Sequence, residues 1–121
     1  MLIALALTLT LLGEQPETVM ITLHAKPGAE EALADVLARH YDTARRLNLV
    51  VPEAPHVTLR SPDALEKRDF VEILTWGDAE VPDHAPKEIL ALWQEMTALV
   101  EPRGGRPGLS IAEMVPVKKT K

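Results

Sequence analysis

The sequence predicts a single α+β domain whose elements run in the order βαββαβ. Three observations predict it. Short β-rich stretches alternate apolar and polar residues, two longer stretches switch to a 3.6-residue apolar period, and proline or glycine breaks separate them. The chain has 121 residues, enough for one core and too few for two comfortable domains. Its content, 46% hydrophobic and 26% charged, lies in the globular range.

Residues 18–25 form the first predicted strand, with Val19, Ile21 and Leu23 on one face and Met20, Thr22 and His24 on the other. Lys26-Pro27-Gly28 breaks it. Residues 29–47 then read as an amphipathic helix with a stripe of Leu33, Val36, Leu37, Tyr41, Ala44 and Leu47. Glu30 and Glu31 in its first turn and Arg45 and Arg46 in its last complement the macrodipole. After a proline-broken loop, residues 56–60 alternate again, with His56, Thr58 and Arg60 sharing a face. A polar loop leads to residues 69–76, which pair with the preceding strand as a hairpin. Residues 77–86 are turn-rich. Residues 87–100 form a second helix, with Ile89, Leu92, Trp93, Met96 and Leu99 on one side. Glu101-Pro102-Arg103-Gly104-Gly105 stops it, and residues 109–117 are the last strand.

This order is the ferredoxin-like, split-βαβ plan, a four-stranded antiparallel sheet in the order 4-1-3-2 with both helices on one face. Strands one and three are expected to run in the same direction, and strand two opposite to three. The face without helices needs a cover, and a second copy packed sheet to sheet supplies it. Met20, Phe70 and Leu74 are expected on that face. The domain is assigned to residues 18–117. Residues 118–121 form a short basic tail, and residues 1–17 an apolar N-terminal segment. Residues 1–12 are apolar apart from Thr8 and Thr10, too short to span a bilayer as a helix. No Lys or Arg precedes them and no small-x-small cleavage site follows. The expected location is therefore the cytoplasm, with export if residues 1–15 act as a signal peptide.

Composition narrows the function. A net charge of −5 disfavours nucleic acid as a partner. The absence of cysteine removes thiolate metal sites and a cysteine nucleophile. The informative segment is Phe70-Val71-Glu72-Ile73-Leu74-Thr75-Trp76, a strand carrying a carboxylate and an indole on one face. With strands one and three parallel, His24 falls near Trp76, His56 begins strand two at the same end, and His84 enters the second helix close by. Glu72 lies deeper, opposite Thr58, and Arg60 lies near Phe70. Glu72 reads as a general base, or as a structural ion pair with Arg60 or a charge at the dimer seam. Trp76 reads as a wall for an aromatic ring, or as a core or dimer-contact side chain. His84 reads as a proton shuttle or as a surface residue. The trio His24, His56 and His84 has the donor set of a metal site, but no HxH or HExxH spacing supports one, and no metal or cofactor is expected. Trp93 and Met96 read as core, and His40 as interfacial or exposed.

On these residues the stretch 18–117 resembles the dimeric α+β barrel superfamily, and within it the antibiotic biosynthesis monooxygenase-like domains. The residues that carry the resemblance are Lys26-Pro27-Gly28, Phe70-Val71-Glu72, Trp76, Asp83-His84 and Trp93. Members include cofactor-free monooxygenases of aromatic polyketides, haem-degrading enzymes and domains without known activity. The cofactor-free enzymes resemble one another in using an asparagine, a tryptophan and a tyrosine. Trp76 matches the tryptophan, but Asn48 and Tyr41, the only residues of their types, lie on or at the end of the first helix. The haem-degrading branch places an asparagine on strand one, where this chain has Met20, Thr22 and His24, so haem cleavage is not expected.

The resemblance implies a homodimeric, cofactor-independent monooxygenase acting with dioxygen on a small aromatic or quinol substrate. Glu72, His84 and His24 are then the candidate catalytic groups. Trp76, His56, Arg60 and Phe70 are the candidate substrate contacts. The alternative is a non-enzymatic homodimeric module that binds a small ligand or only self-associates.

Overall fold

The computed structural model describes residues 15–62 and 68–117. The N-terminal segment up to residue 14, most of the loop before the third strand and the basic tail lie outside the described residues, and so do the expectations that concern them. The elements are β1 (Glu17–His24), α1 (Glu30–Arg46), β2 (Val57–Arg60), β3 (Asp69–Trp76), a 3-10 turn (Val81–His84), α2 (Lys87–Leu99) and β4 (Leu109–Met114). The strands form one antiparallel sheet in the order β2-β3-β1-β4. No described helix is long and apolar enough to cross a membrane.

The α+β class, strand order and antiparallel sheet are as the sequence predicts. One directional expectation fails. β1 and β3 are antiparallel, with His24 opposite Asp69 and Glu17 opposite Trp76. The reason is topological. The crossover through α1 makes β1 and β2 parallel, the hairpin reverses β3 relative to β2, and β3 must therefore oppose β1. His24 and Trp76 consequently lie at opposite ends of β3, about 23 Å apart along an extended strand at ~3.3 Å per residue.

The register sorts side chains cleanly. Val19, Ile21 and Leu23 of β1 oppose Leu74, Glu72 and Phe70 of β3 on the face that meets the helices. There they join Leu33, Val36, Leu37 and Ala44 of α1 and Ile89, Leu92 and Met96 of α2 in one core. Phe70 and Leu74 are thus buried under the helices, not on the open face as expected, because they share the parity of Glu72 and Trp76. The open face instead carries Met20, Ile73, Val57 and Leu59, with Met114 on the edge strand. Leu59 on this face is 58% exposed.

Two local devices hold the site-bearing elements. α1 ends with Asn48 in the left-handed region (φ 59°). Asn48 N–H donates to Arg45 O at 3.0 Å and Leu49 N–H to Ala44 O at 2.8 Å, the paired bonds of a Schellman cap. The chain then runs back along β3, where Val51 N–H donates to Thr75 O at 2.9 Å. Across the helix pair, Arg39 grips Glu95 through two hydrogen bonds of 2.8 and 3.0 Å and also bonds Asp35. The Arg39 guanidinium holds the Glu95 carboxyl below its usual range. This ion pair is solvent-exposed and orients the helices more than it stabilises them.

Candidate functional site

Period-two alternation along β3 puts Glu72 between Phe70 and Leu74 on the core side. Its carboxylate is wholly buried. An unpartnered carboxylate in that layer costs several kcal/mol, on the order of 3–5, so its partners decide whether the fold tolerates it. Both are imidazoles. His40 Nδ1 lies 3.0 Å from Glu72 Oε1, and His56 Nε2 lies 3.1 Å from Glu72 Oε2. The expected alternative, an ion pair between Glu72 and Arg60, does not form. Arg60 bonds Glu31 of α1 at 2.9 Å, and its guanidinium stands 5.3 Å from the Phe70 ring centre.

His40 is fully buried, contrary to the expectation of an interfacial or exposed residue. It occupies the same face of α1 as Leu33, Val36, Leu37 and Ala44, and that stripe aims it at β3. Trp93 of α2, read from sequence as core packing, donates its indole N–H to His40 Nε2 at 2.9 Å. An indole N–H can only donate, so His40 Nε2 must accept and carries no proton. The proton of His40 therefore sits on Nδ1 and is given to Glu72. A chain of hydrogen bonds runs from Trp93 through His40 to Glu72 with its direction fixed at the indole end.

With Glu72 ionised, both its oxygens accept, and His56 donates from Nε2. This leaves His56 Nδ1 as the ring nitrogen without a hydrogen bond among the described residues. The His56 side chain is 25% exposed, whereas those of Glu72 and His40 are fully buried. Tyr41 of α1 stacks on it, with ring centres 3.5 Å apart and planes within 7°. Trp76 lies on the His40 side of the cluster. Its ring meets His40 edge-on at 5.9 Å and Trp93 edge-on at 6.3 Å. Glu72 and Trp76 thus face the same interior, as the strand alternation predicts.

The remaining predicted site residues lie elsewhere. His24 is on the open face at the far end of the sheet, where its Nδ1 lies 2.8 Å from Asp69 Oδ1. His84 closes the 3-10 turn ahead of α2, is exposed, and makes no hydrogen bond, ion pair or ring contact with Glu72, His56 or Trp76. The expected convergence of His24, His56 and His84 around the indole fails, because it rested on β1 and β3 running parallel. Among the described residues no group of three or more His, Asp or Glu side chains is arranged to hold a metal ion. Sequence reasoning missed His40 and Tyr41 as site residues. The spacing 33, 36, 37, 40, 44 contained the signal for His40.

The sequence matches no protein-family model, and no curated protein matches it. Solved structures do match. SnoaB, a cofactor-independent oxygenase from Streptomyces nogalater, superposes with a TM-score of 0.63 at 18% identity, covering 86% of this chain and 95% of that one. Rv0793 from Mycobacterium tuberculosis gives 0.63 at 16% identity over 88% of this chain and 100% of that one. A structure described as an antibiotic biosynthesis monooxygenase gives 0.63 at 16%, covering 84% and 99%. The chain shares the fold of these proteins.

Proposed function

We propose that this chain is a homodimeric, cofactor-independent monooxygenase for a small aromatic or quinol substrate, with His56 as its base. The observation that carries the reading is the Glu72–His56 pair, which joins a buried carboxylate to a partly exposed imidazole beside stacked and edge-on aromatic rings. Glu72 itself is too enclosed to meet a substrate. It orients His56 instead, and when His56 takes a proton at Nδ1 the pair becomes electroneutral. His40 holds Glu72 in place, and Tyr41 fixes the plane of the His56 ring.

The chemistry balances without an added reductant. His56 removes a proton from an activated ring carbon of an anthrone-like substrate. The carbanion passes one electron to dioxygen, and the two radicals combine as a peroxide, which recovers the proton. Loss of water then leaves a carbonyl. The methylene loses four electrons, matching the reduction of dioxygen to one carbonyl oxygen and one water. Trp76 and Trp93 pack against His40, on the buried carboxylate side of the pair. His24 and His84, expected as catalytic groups, are given no part in this step.

The test is oxygen uptake with anthrone-like and quinol substrates, using flavin-free, chelator-treated protein. His56→Gln should lower kcat/KM by about 10²-fold, the usual scale for a lost general base. Uptake no faster than the spontaneous rate, or a His56→Gln variant as active as the parent, sinks the reading.

A second reading, a non-enzymatic homodimeric binding module, is favoured by one observation. The open sheet face carries Met20, Val57, Leu59, Ile73 and Met114 with no helix over them. A contiguous apolar face of this kind is a pairing surface whatever the other face does. Leu59→Glu should halve the mass measured by sedimentation while leaving the circular dichroism unchanged.

A further inference from the structure

The segment between α2 and β4 builds something the oxygenase reading does not use. Arg103 and Arg106 exchange backbone hydrogen bonds of 3.0 and 2.9 Å across Gly104-Gly105. Both glycines have positive φ, 54° and 79°, the geometry of a two-residue type I′ turn. A pair that exchanges both hydrogen bonds projects its side chains to the same side, so two guanidinium groups stand together at the tip.

This tip borders a cavity of about 660 Å³ on the open side of the sheet, at the end away from Trp76. Thr22, His24, Asp69, Arg103, Arg106 and Ser110 supply its polar lining. Arg103 Nη1 donates to Asp69 Oδ2 at 2.5 Å, and His24 holds Oδ1 of the same carboxylate at 2.8 Å. Asp69 is therefore spent on internal partners and orients both the Arg103 guanidinium and the His24 ring. Arg106 makes no side-chain hydrogen bond or ion pair among the described residues, and neither does His24 Nε2. The lining holds two guanidiniums against one carboxylate, a net charge of +1 with His24 neutral, in a chain whose formal net charge is −5.

We infer that this cavity binds a small oxyanion, a phosphate or carboxylate group, with Arg106 as its principal contact. A guanidinium presents parallel N–H donors that match the paired oxygens of either group. Arg103 adds positive potential from a side chain already fixed by Asp69, and His24 Nε2 offers a further donor when the ring is protonated. The Thr22 and Ser110 hydroxyls, 2.5 Å apart on adjacent strands, complete a polar floor. The site uses the opposite face of β3 from Glu72, so it does not depend on His56 acting as a base.

The experiment is a titration of the full chain with sodium phosphate and, separately, with sodium succinate. Ionic strength is held constant with sodium chloride, and the 15N resonances of the arginine side chains and histidine rings are followed. Saturable shifts are expected at Arg106 and His24, with His40 and His56 still. Arg106→Ala should weaken binding at least tenfold, whereas Arg45→Ala, on the exposed face of α1, should not. Saturation by phosphate alone, by succinate alone or by both supports the site and identifies the group it takes. The absence of saturation by either anion, or binding unchanged in Arg106→Ala, overturns it.

Discussion

Replacing Glu72 by glutamine tests the directed chain of hydrogen bonds from Trp93 to His56. Because Trp93 occupies His40 Nε2, His40 can only donate from Nδ1, and the new amide must turn its oxygen to His40. Its NH2 group then faces His56, whose Nε2 must switch from donor to acceptor. The proton of His56 moves to Nδ1, the atom proposed as the base. Both hydrogen bonds survive but lose their charge, each falling from about 1.5–3 to about 0.5–1.5 kcal/mol. Two such losses come to about 2–3 kcal/mol. No carboxylate now has to be desolvated, which returns part of that, so the net cost is about 1–2 kcal/mol. Glu72→Ala is worse. It leaves the buried His40 N–H without an acceptor, opens a void, and should cost about 3–5 kcal/mol. Urea denaturation measures both costs, and long-range 1H–15N spectra report which nitrogen of each ring is protonated. Glu72→Gln should be folded, carry His56 as the Nδ1–H tautomer, and lose about 10²-fold in oxygen uptake. Equal stability of the Gln and Ala variants, or a His56 that keeps its proton on Nε2 in Glu72→Gln, refutes the reasoning.

Trp93→Phe removes the donor that fixes His40 and leaves a buried acceptor unpaired. A loss of about 1–3 kcal/mol is expected in urea denaturation, together with mixed His40 tautomers in the same 15N spectra. Asp69 is held below the usual carboxyl range, first by its hydrogen bond from Arg103 and then by His24, against burial, which pushes it upward. A depressed carboxyl contributes stability above its unfolded pKa of about 4 and loses that contribution as pH falls through the folded value. Asp69→Asn should therefore flatten the acid limb of a stability–pH profile below about pH 4 and leave its slope near neutrality unchanged. A Cβ added at Gly108 would stand 2.6 Å from Glu101 O, a backbone atom that cannot swing aside. Gly108→Ala should cost about 1–3 kcal/mol in urea denaturation, since the strain displaces the start of β4.

Much of this was legible in the sequence because it depends on periodicity. Alternation along residues 69–76 put Glu72 and Trp76 on one face, and the βαββαβ order gave the strand order. His40 was equally legible. Its place in the α1 stripe follows from 3.6-residue spacing, but a histidine read by its polarity alone is assigned to the surface. The errors came where direction mattered more than period. Taking β1 and β3 as parallel carried His24 to the wrong end of the sheet, and with it the idea of a histidine trio. The Arg103–Arg106 turn read only as a helix stop, because two glycines announce a turn without saying that its flanking side chains share a face. Trp93 read as core because an indole on an apolar helix face is normally that. Its hydrogen bond depends on His40, 53 residues away, which no local pattern encodes.

The two candidate sites are held apart by the simplest property of a strand. Asp69 and Glu72 are three residues apart on β3, an odd separation, so their carboxylates leave the sheet on opposite sides. Glu72 enters a layer closed by two helices, where only hydrogen bonds from neutral or protonated rings can meet it, and α1 and β2 supply two imidazoles. Asp69 leaves on the side without helices, where a guanidinium from the turn before β4 reaches it. The same strand therefore gives one carboxylate an imidazole to orient and the other an arginine to hold. Which carboxylate receives which partner is decided by parity, and a one-residue slip of β3 would turn Glu72 to the open face and Asp69 to the helix face. Such a slip would also turn Phe70, Leu74 and Trp76 out to solvent. Each buries apolar surface worth about 1.5–3 kcal/mol, and together they hold the register that keeps Glu72 against His40.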